Sequence, residues 1–157
     1  MSGHGAPSLH TESTGTVVDI VASLWHTEVM DGLLAGARRA VEAAGATARV
    51  LRVPGAFELP VVAEKLARSG STAIVCLGVV VRGDTPHFDY VCEAVTRGLT
   101  DVARHHTVPV GFGVLTTDDD AQAIARAGLP GSREDKGAEA VEAALATAAV
   151  LAAIDGR

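Results

Sequence analysis

Aromatic residues are scarce in this chain: one Trp, one Tyr and three Phe make up 3% of 157 residues. The core must therefore be filled by Val, Leu, Ile and Ala. Cysteine is nearly absent as well. Cys76 and Cys92 form neither a metal-ligand spacing nor a disulfide framework, and both are expected to be reduced core residues of a cytoplasmic protein. Charged residues make up only 20%, the net charge is −6, and no Lys/Arg run occurs. This excludes the electrostatic footprint of a nucleic-acid or anionic-membrane binder. Long apolar runs are missing too. Ala73–Val81 and Ala143–Ile154 both fall short of the ~18 residues of a membrane span. Residues 1–15 hold no apolar signal core, so no secretory signal is expected.

What remains is 48% hydrophobic, with Ala, Val and Leu prominent. So apolar a composition on a small domain implies that part of the outside is covered by other subunits. After a Gly/Ser/Thr-rich tail (1–15), expected to be flexible, a regular alternation begins and continues through a single domain over 16–157. Strands are expected at Thr16–Leu24, Ala48–Val53, Thr72–Val81 and Val108–Val114. Helices are expected at Glu28–Ala44, Phe57–Arg68, Phe88–Arg104, Asp118–Ala127 and Lys136–Ile154, with Gly45 ending the first and Thr117 capping the fourth. Strands alternating with helices imply βαβ units, right-handed crossovers and a parallel sheet. The predicted fold is a flavodoxin-like three-layer αβα sandwich with four strands in the order 2-1-3-4.

The segment CLGVVVRGDTPHFDY (76–90) is the most informative. A buried strand stops at Arg82-Gly83, a short loop follows, and a helix starts at His87 or Phe88. Open α/β sheets bind ligands at the C-terminal ends of their strands, and helix N-termini attract anions. Gly83, Asp84 and Thr85 could thus hold a phosphate through backbone N–H groups, helped by a cation from among Arg82, Arg126 and Lys136. Lys136 opens a helix, where a positive charge is unfavourable, a misfit that points to function. Neither GxGxxG nor GxxxxGK[ST] occurs, which excludes dinucleotide and P-loop sites. The five aromatics, Trp25, Phe57, Phe88, Tyr90 and Phe112, all fall in or just after the C-terminal half of a predicted strand, as the wall of a pocket for a planar ring would. For any one of them alone, a plug between helix and strand end is the favoured reading; all five together point to a pocket. Trp25 suits stacking best. Glu58 is either a first-turn acid facing a helix dipole or an acceptor for polyol hydroxyls. His26 is a loop residue or a pocket wall. His87, at the ligand edge, is the imidazole placed to give and take a proton. His105 and His106 suit the end of a helix instead.

The segments ASLWH (22–26), PGAFELPVVA (54–63), CLGVVVRGDTPHFDYVC (76–92), GVLTTD (113–118), ARAG (125–128) and EDKG (134–137) together resemble the 6,7-dimethyl-8-ribityllumazine synthases, in order and over nearly all of the chain beyond the tail. The resemblance implies condensation of 5-amino-6-(D-ribitylamino)uracil with 3,4-dihydroxy-2-butanone 4-phosphate, releasing phosphate and water. It implies no metal and no cofactor. Trp25 would stack on the pyrimidine; Ala56, Phe57 and Glu58 would line the ribityl-uracil site, and Val79, Val80 and Val81 would offer backbone groups to the uracil edge. Gly83, Asp84, Thr85 and Arg126 would hold the phosphate, and His87 would carry protons. Phe112, Arg126 and Lys136 would come from the neighbouring subunit of a homopentamer, with His26 in support. Asp84 stands where a longer Gln or Glu is common, which brings a carboxylate close to the phosphate. The loop Leu129–Asp135 is longer than the tight turn associated with sixty-subunit shells and resembles that of free pentamers, which also pair into decamers. The N-terminal tail would add to a neighbour's sheet. The rival readings are a non-catalytic flavin or lumazine binder, and a shell-forming protein on the same fold.

Overall fold

The computed structural model describes residues 7, 9 and 11–156. His4, His10, most of the tail and its expected strand exchange lie outside the described residues. From Ser13, whose N–H donates to Ala44 O at 2.8 Å, the chain is tied to the body.

Four strands, β1 (Val17–Ser23), β2 (Thr47–Val53), β3 (Ile74–Val81) and β4 (Val110–Thr117), form an all-parallel sheet in the order β2-β1-β3-β4. Five helices connect and cover it: α1 (Thr27–Ala43), α2 (Leu59–Arg68), α3 (His87–His106), α4 (Asp120–Ile124) and α5 (Lys136–Ile154). The result is the flavodoxin-like sandwich that the alternation predicts. One face of the sheet packs α1 and α5 around Ile20, Leu33, Leu77, Val141 and Leu145. The other packs α2 and α3 around Val21, Leu59, Ile74, Cys76 and Leu99. Both faces of β1 and β3 are covered, which is why these strands read as unbroken apolar runs.

Boundaries moved where tertiary contacts overrode local signals. The predicted strand 108–114 lies instead at Val110–Thr117, and Thr117 pairs with Val81 rather than capping a helix. Asp119 caps α4 in its place, its carboxylate accepting from Gln122 N. The predicted helix 118–127 shrinks to Asp120–Ile124, because the chain from Ala125 to Gly128 turns to pair with residues 133–136. The predicted helix 57–68 begins as a 3₁₀ turn, Ala56–Glu58, before Pro60 in the first turn of α2. Gly45, at φ 69°, ends the first helical stretch as expected.

Helix α5 is long and apolar enough, by length and composition, to cross a membrane (mean hydropathy 1.6), which the shorter run Ala143–Ile154 had not suggested. Its buried residues Gly137, Ala140, Val141, Ala144 and Leu145 pack into this fold. Contact with α1 is close: a Cβ on Gly137 would lie 2.0 Å from Leu33 O. Gly137→Ala is therefore expected to destabilise the fold by about 1–3 kcal/mol, since a packed backbone must shift to admit the methyl. Denaturant unfolding reads this out, and an unchanged midpoint would contradict the packing.

Candidate active site

The strand order reverses between β1 and β3, and the ladder joining them is short. It pairs Asp19–Ala22 with Ile74–Leu77 and stops. Beyond Leu77, β3 runs on to Val81 paired only with β4. In a parallel strand successive residues turn their backbone N–H and C=O groups to alternate neighbours. Ile74 N donates to Pro109 O and Arg82 N to Thr117 O, so even-numbered positions face β4. Val79 and Val81 thus turn their backbone groups into the gap at the switch point, where a ligand edge can bond them. Val80, expected to do the same, directs its own towards β4.

Residues from three loops surround this gap. Gly78 lets the 3₁₀ turn approach β3: a Cβ there would lie 3.3 Å from Ala56 Cβ and 3.1 Å from Leu59 Cδ1. The turn seats Ala56 in the core and leaves Phe57 62% exposed. Glu58 Oε2 accepts from Gly55 N at 2.9 Å, which fixes the carboxylate at the turn. Trp25 approaches the same glycine, for a Cβ on Gly55 would lie 3.6 Å from Trp25 Cδ1. Its indole is 68% exposed, an apolar plate offered to solvent beside an anchored acid. His26 follows in the left-handed region at φ 57°, with Nδ1 3.5 Å from Asp120 Oδ1.

The third loop is 82–86. Gly83, Asp84 and Thr85 are exposed, and α3 opens at His87 with Pro86 as its N-cap and no side-chain cap. A helix of 20 residues, uncapped at an open loop, carries the partial positive charge that favours a phosphate. His87, exposed on the first turn, stands at that entrance. Arg82 does not serve as the anion's cation. Its Nε donates to Asp118 at 3.0 Å, it pairs with Asp89 at 3.4 Å, and its guanidinium lies 4.1 Å over the Phe88 ring. The hydrogen bond to Asp118 holds its pKa above the usual guanidinium value.

The aromatics do not gather at one pocket. Phe88 is a buried plug beneath Arg82. Phe112 lies in the N-terminal half of β4, because that strand runs further than the sequence suggests. With Arg126 and Lys136 it lines a groove of about 1020 Å³ along β4 and α5. None of Trp25, Phe57, Glu58 or His87 lines that groove. In one chain the expected site residues therefore fall into two groups, one around the β1–β3 gap and one along the β4 edge.

Sequence reading missed two residues of the second group. Thr117, 4% exposed, lines the groove with a buried hydroxyl that has no hydrogen-bond partner among the described residues. Glu134 Oε2 lies 3.1 Å from Lys136 Nζ and 3.9 Å from Arg126 Nε. Burial alone would push the Lys136 pKa down, but hydrogen bonds to Glu139 and Glu134 outweigh it and hold the ammonium above its usual value. Arg126 also donates to Gln122 O at 2.8 Å.

Thiol chemistry is absent from this arrangement. Burial pushes the Cys76 thiol up to about 12, and burial together with Asp89 raises that of Cys92, which is half-buried rather than in the core. Neither forms much of the thiolate needed for attack near neutrality. His106 is structural, its Nε2 bonded to Glu64 Oε2 at 2.9 Å across α2 and α3. Among the described residues no group of three or more His, Cys, Asp or Glu is placed to hold a metal ion.

Comparison with known proteins points to one family. The family profile described as 6,7-dimethyl-8-ribityllumazine synthase matches residues 15–152. A protein of that name from Kineococcus radiotolerans is 64% identical over 152 residues, covering 96% of this chain and 94% of the relative. One from Leifsonia xyli is 58% identical over 158 residues (99% and 100%), and one from Clavibacter michiganensis 56% over 159 residues (99% of each).

Proposed function

The chain belongs to the 6,7-dimethyl-8-ribityllumazine synthase family, and from that premise we propose that it condenses 5-amino-6-(D-ribitylamino)uracil with 3,4-dihydroxy-2-butanone 4-phosphate. The uracil lies on the indole of Trp25, its edge bonded to the backbone of Val79 and Val81. Phe57 flanks it, and Glu58 accepts from ribityl hydroxyls. The phosphate sits at the N-terminus of α3, held by the backbone of Gly83, Asp84 and Thr85.

The observation that carries this reading is the separation of the two residue groups. Phe112, Arg126 and Lys136 face a groove apart from the β1–β3 gap. A closed ring of copies, each presenting its β4 edge to its neighbour's gap, would unite them. We take that ring to be a homopentamer, with Arg126 and Lys136 reaching the phosphate from the adjoining copy.

The amine condenses with the ketone to an imine and water, phosphate leaves by β-elimination, and the second nitrogen closes the ring with loss of another water; each step needs protons moved. His87 moves those protons at the reacting carbons. Holding two reactants together is the larger contribution, with effective molarities of ~10⁵ M or more; a positioned imidazole adds about 10²–10⁴-fold. The experiment is to mix the purified chain with both substrates and follow lumazine absorbance and free phosphate together. Equal amounts of both are expected. Binding of the pyrimidine with no phosphate released would identify a non-catalytic binder instead.

A further inference from the structure

The backbone from Ala125 to Gly128 and that from Arg133 to Lys136 form a small clamp. Glu134 N donates to Ala125 O at 3.1 Å, Gly128 N to Glu134 O at 3.0 Å and Lys136 N to Arg126 O at 3.0 Å, around an antiparallel bridge between Ala127 and Asp135. Along an extended segment side chains alternate between faces. Asp135 takes one face. It caps α5 by accepting from Ala138 N at 3.0 Å, accepts from Arg39 at 2.9 Å, and abuts Gly36 and Gly128. Glu134 and Lys136 take the other, where Glu134 meets both Lys136 and Arg126.

Glu134 is the acid best placed to govern both cations. Its side chain is 16% exposed against 41% for Glu139, and one of its oxygens lies within 3.9 Å of a nitrogen of each. Without it, an ammonium at the first position of a helix, where the dipole opposes it, would stand near a guanidinium with one acid fewer between them. Like charges at such spacing repel, and side chains this long then swing apart.

We propose that Glu134 is a positioning residue, its half-buried carboxylate holding Arg126 and Lys136 as a preset pair for the phosphate of the four-carbon substrate. This rests on the function proposed above. Glu134 itself touches no substrate; it acts through the two cations.

Steady-state kinetics of Glu134→Gln, with each substrate varied in turn, provide the test, together with calorimetric binding of inorganic phosphate, which needs no turnover. The KM for the butanone phosphate is expected to rise about 5- to 30-fold, and phosphate binding to weaken in parallel. The KM for the pyrimidine should stay within about twofold and kcat within about threefold. Glu134→Asp keeps the charge on a shorter arm and should fall between; it also serves if the glutamine variant fails to fold. Glu42→Gln, which removes the same charge from the exposed face of α1, should match the wild type. An unchanged butanone phosphate KM in Glu134→Gln, or equal rises for both substrates, would overturn the proposal while leaving the activity standing. A wild type that makes no lumazine would overturn the activity and this proposal with it.

Discussion

Replacing His87 with alanine is expected to lower kcat about 10²-fold or more while leaving both KM values within a few-fold. The imidazole stands exposed at the entrance to α3, beside the loop proposed to hold the phosphate. Removing it deletes a proton carrier, not a binding contact, so the loss should fall on the chemical step. Activity should persist well above the solution rate, because both substrates remain bound side by side. Steady-state kinetics with each substrate varied check this, and a kcat within threefold of the wild type would remove His87 from the proton-carrying role.

Arg126→Ala should produce the opposite pattern. Among the described residues its guanidinium meets Gln122 O at 2.8 Å and Glu134 at 3.9 Å, which leaves donors for an incoming phosphate. Arg82 is instead engaged with Asp118, Asp89 and the Phe88 ring. A charge-assisted hydrogen bond contributes roughly 1.5–3 kcal/mol, so the KM for the butanone phosphate should rise about 10- to 100-fold. The KM for the pyrimidine should hardly move. The same measurement on Arg82→Ala offers a contrast, since that change disturbs the 82–86 loop and the packing of Phe88 before it alters any phosphate contact. If Arg126→Ala raised the pyrimidine KM instead, the assignment of the phosphate subsite would be wrong.

Much of this was legible because the sheet is buried on both faces. β1 and β3 stand out as continuous β-branched runs, and the loop after β3 identifies itself by its Gly-Asp-Thr-Pro break. Trp25, Glu58 and His87 were visible as polar or planar residues at strand ends. The misreadings have particular causes. Thr117 looks like a helix cap because aspartates follow it, yet β4 continues through it in register with Val81, a pairing set 36 residues away in sequence rather than locally. Phe112 resembles a strand-end aromatic because the local pattern ends at Val114, whereas β4 runs on to Thr117. Phe88 turned out to anchor Arg82, an interaction no periodicity reveals. Val80 could be told from Val79 and Val81 only once the ladder had fixed which way each peptide faces. Glu134 was invisible as a partner of Arg126 because the clamp that joins them depends on two loop segments pairing in three dimensions. The charges were in the sequence; their geometry was not.

The central claim is that one copy's imidazole works with the next copy's guanidinium. Co-refolding equal amounts of His87→Ala and Arg126→Ala, followed by assay at low butanone phosphate, tests this most directly. In a closed ring with random placement, about one site in four receives both intact residues, so activity should recover to about a quarter of the wild type. Activity no greater than the average of the two separate variants would show that each chain builds its site alone.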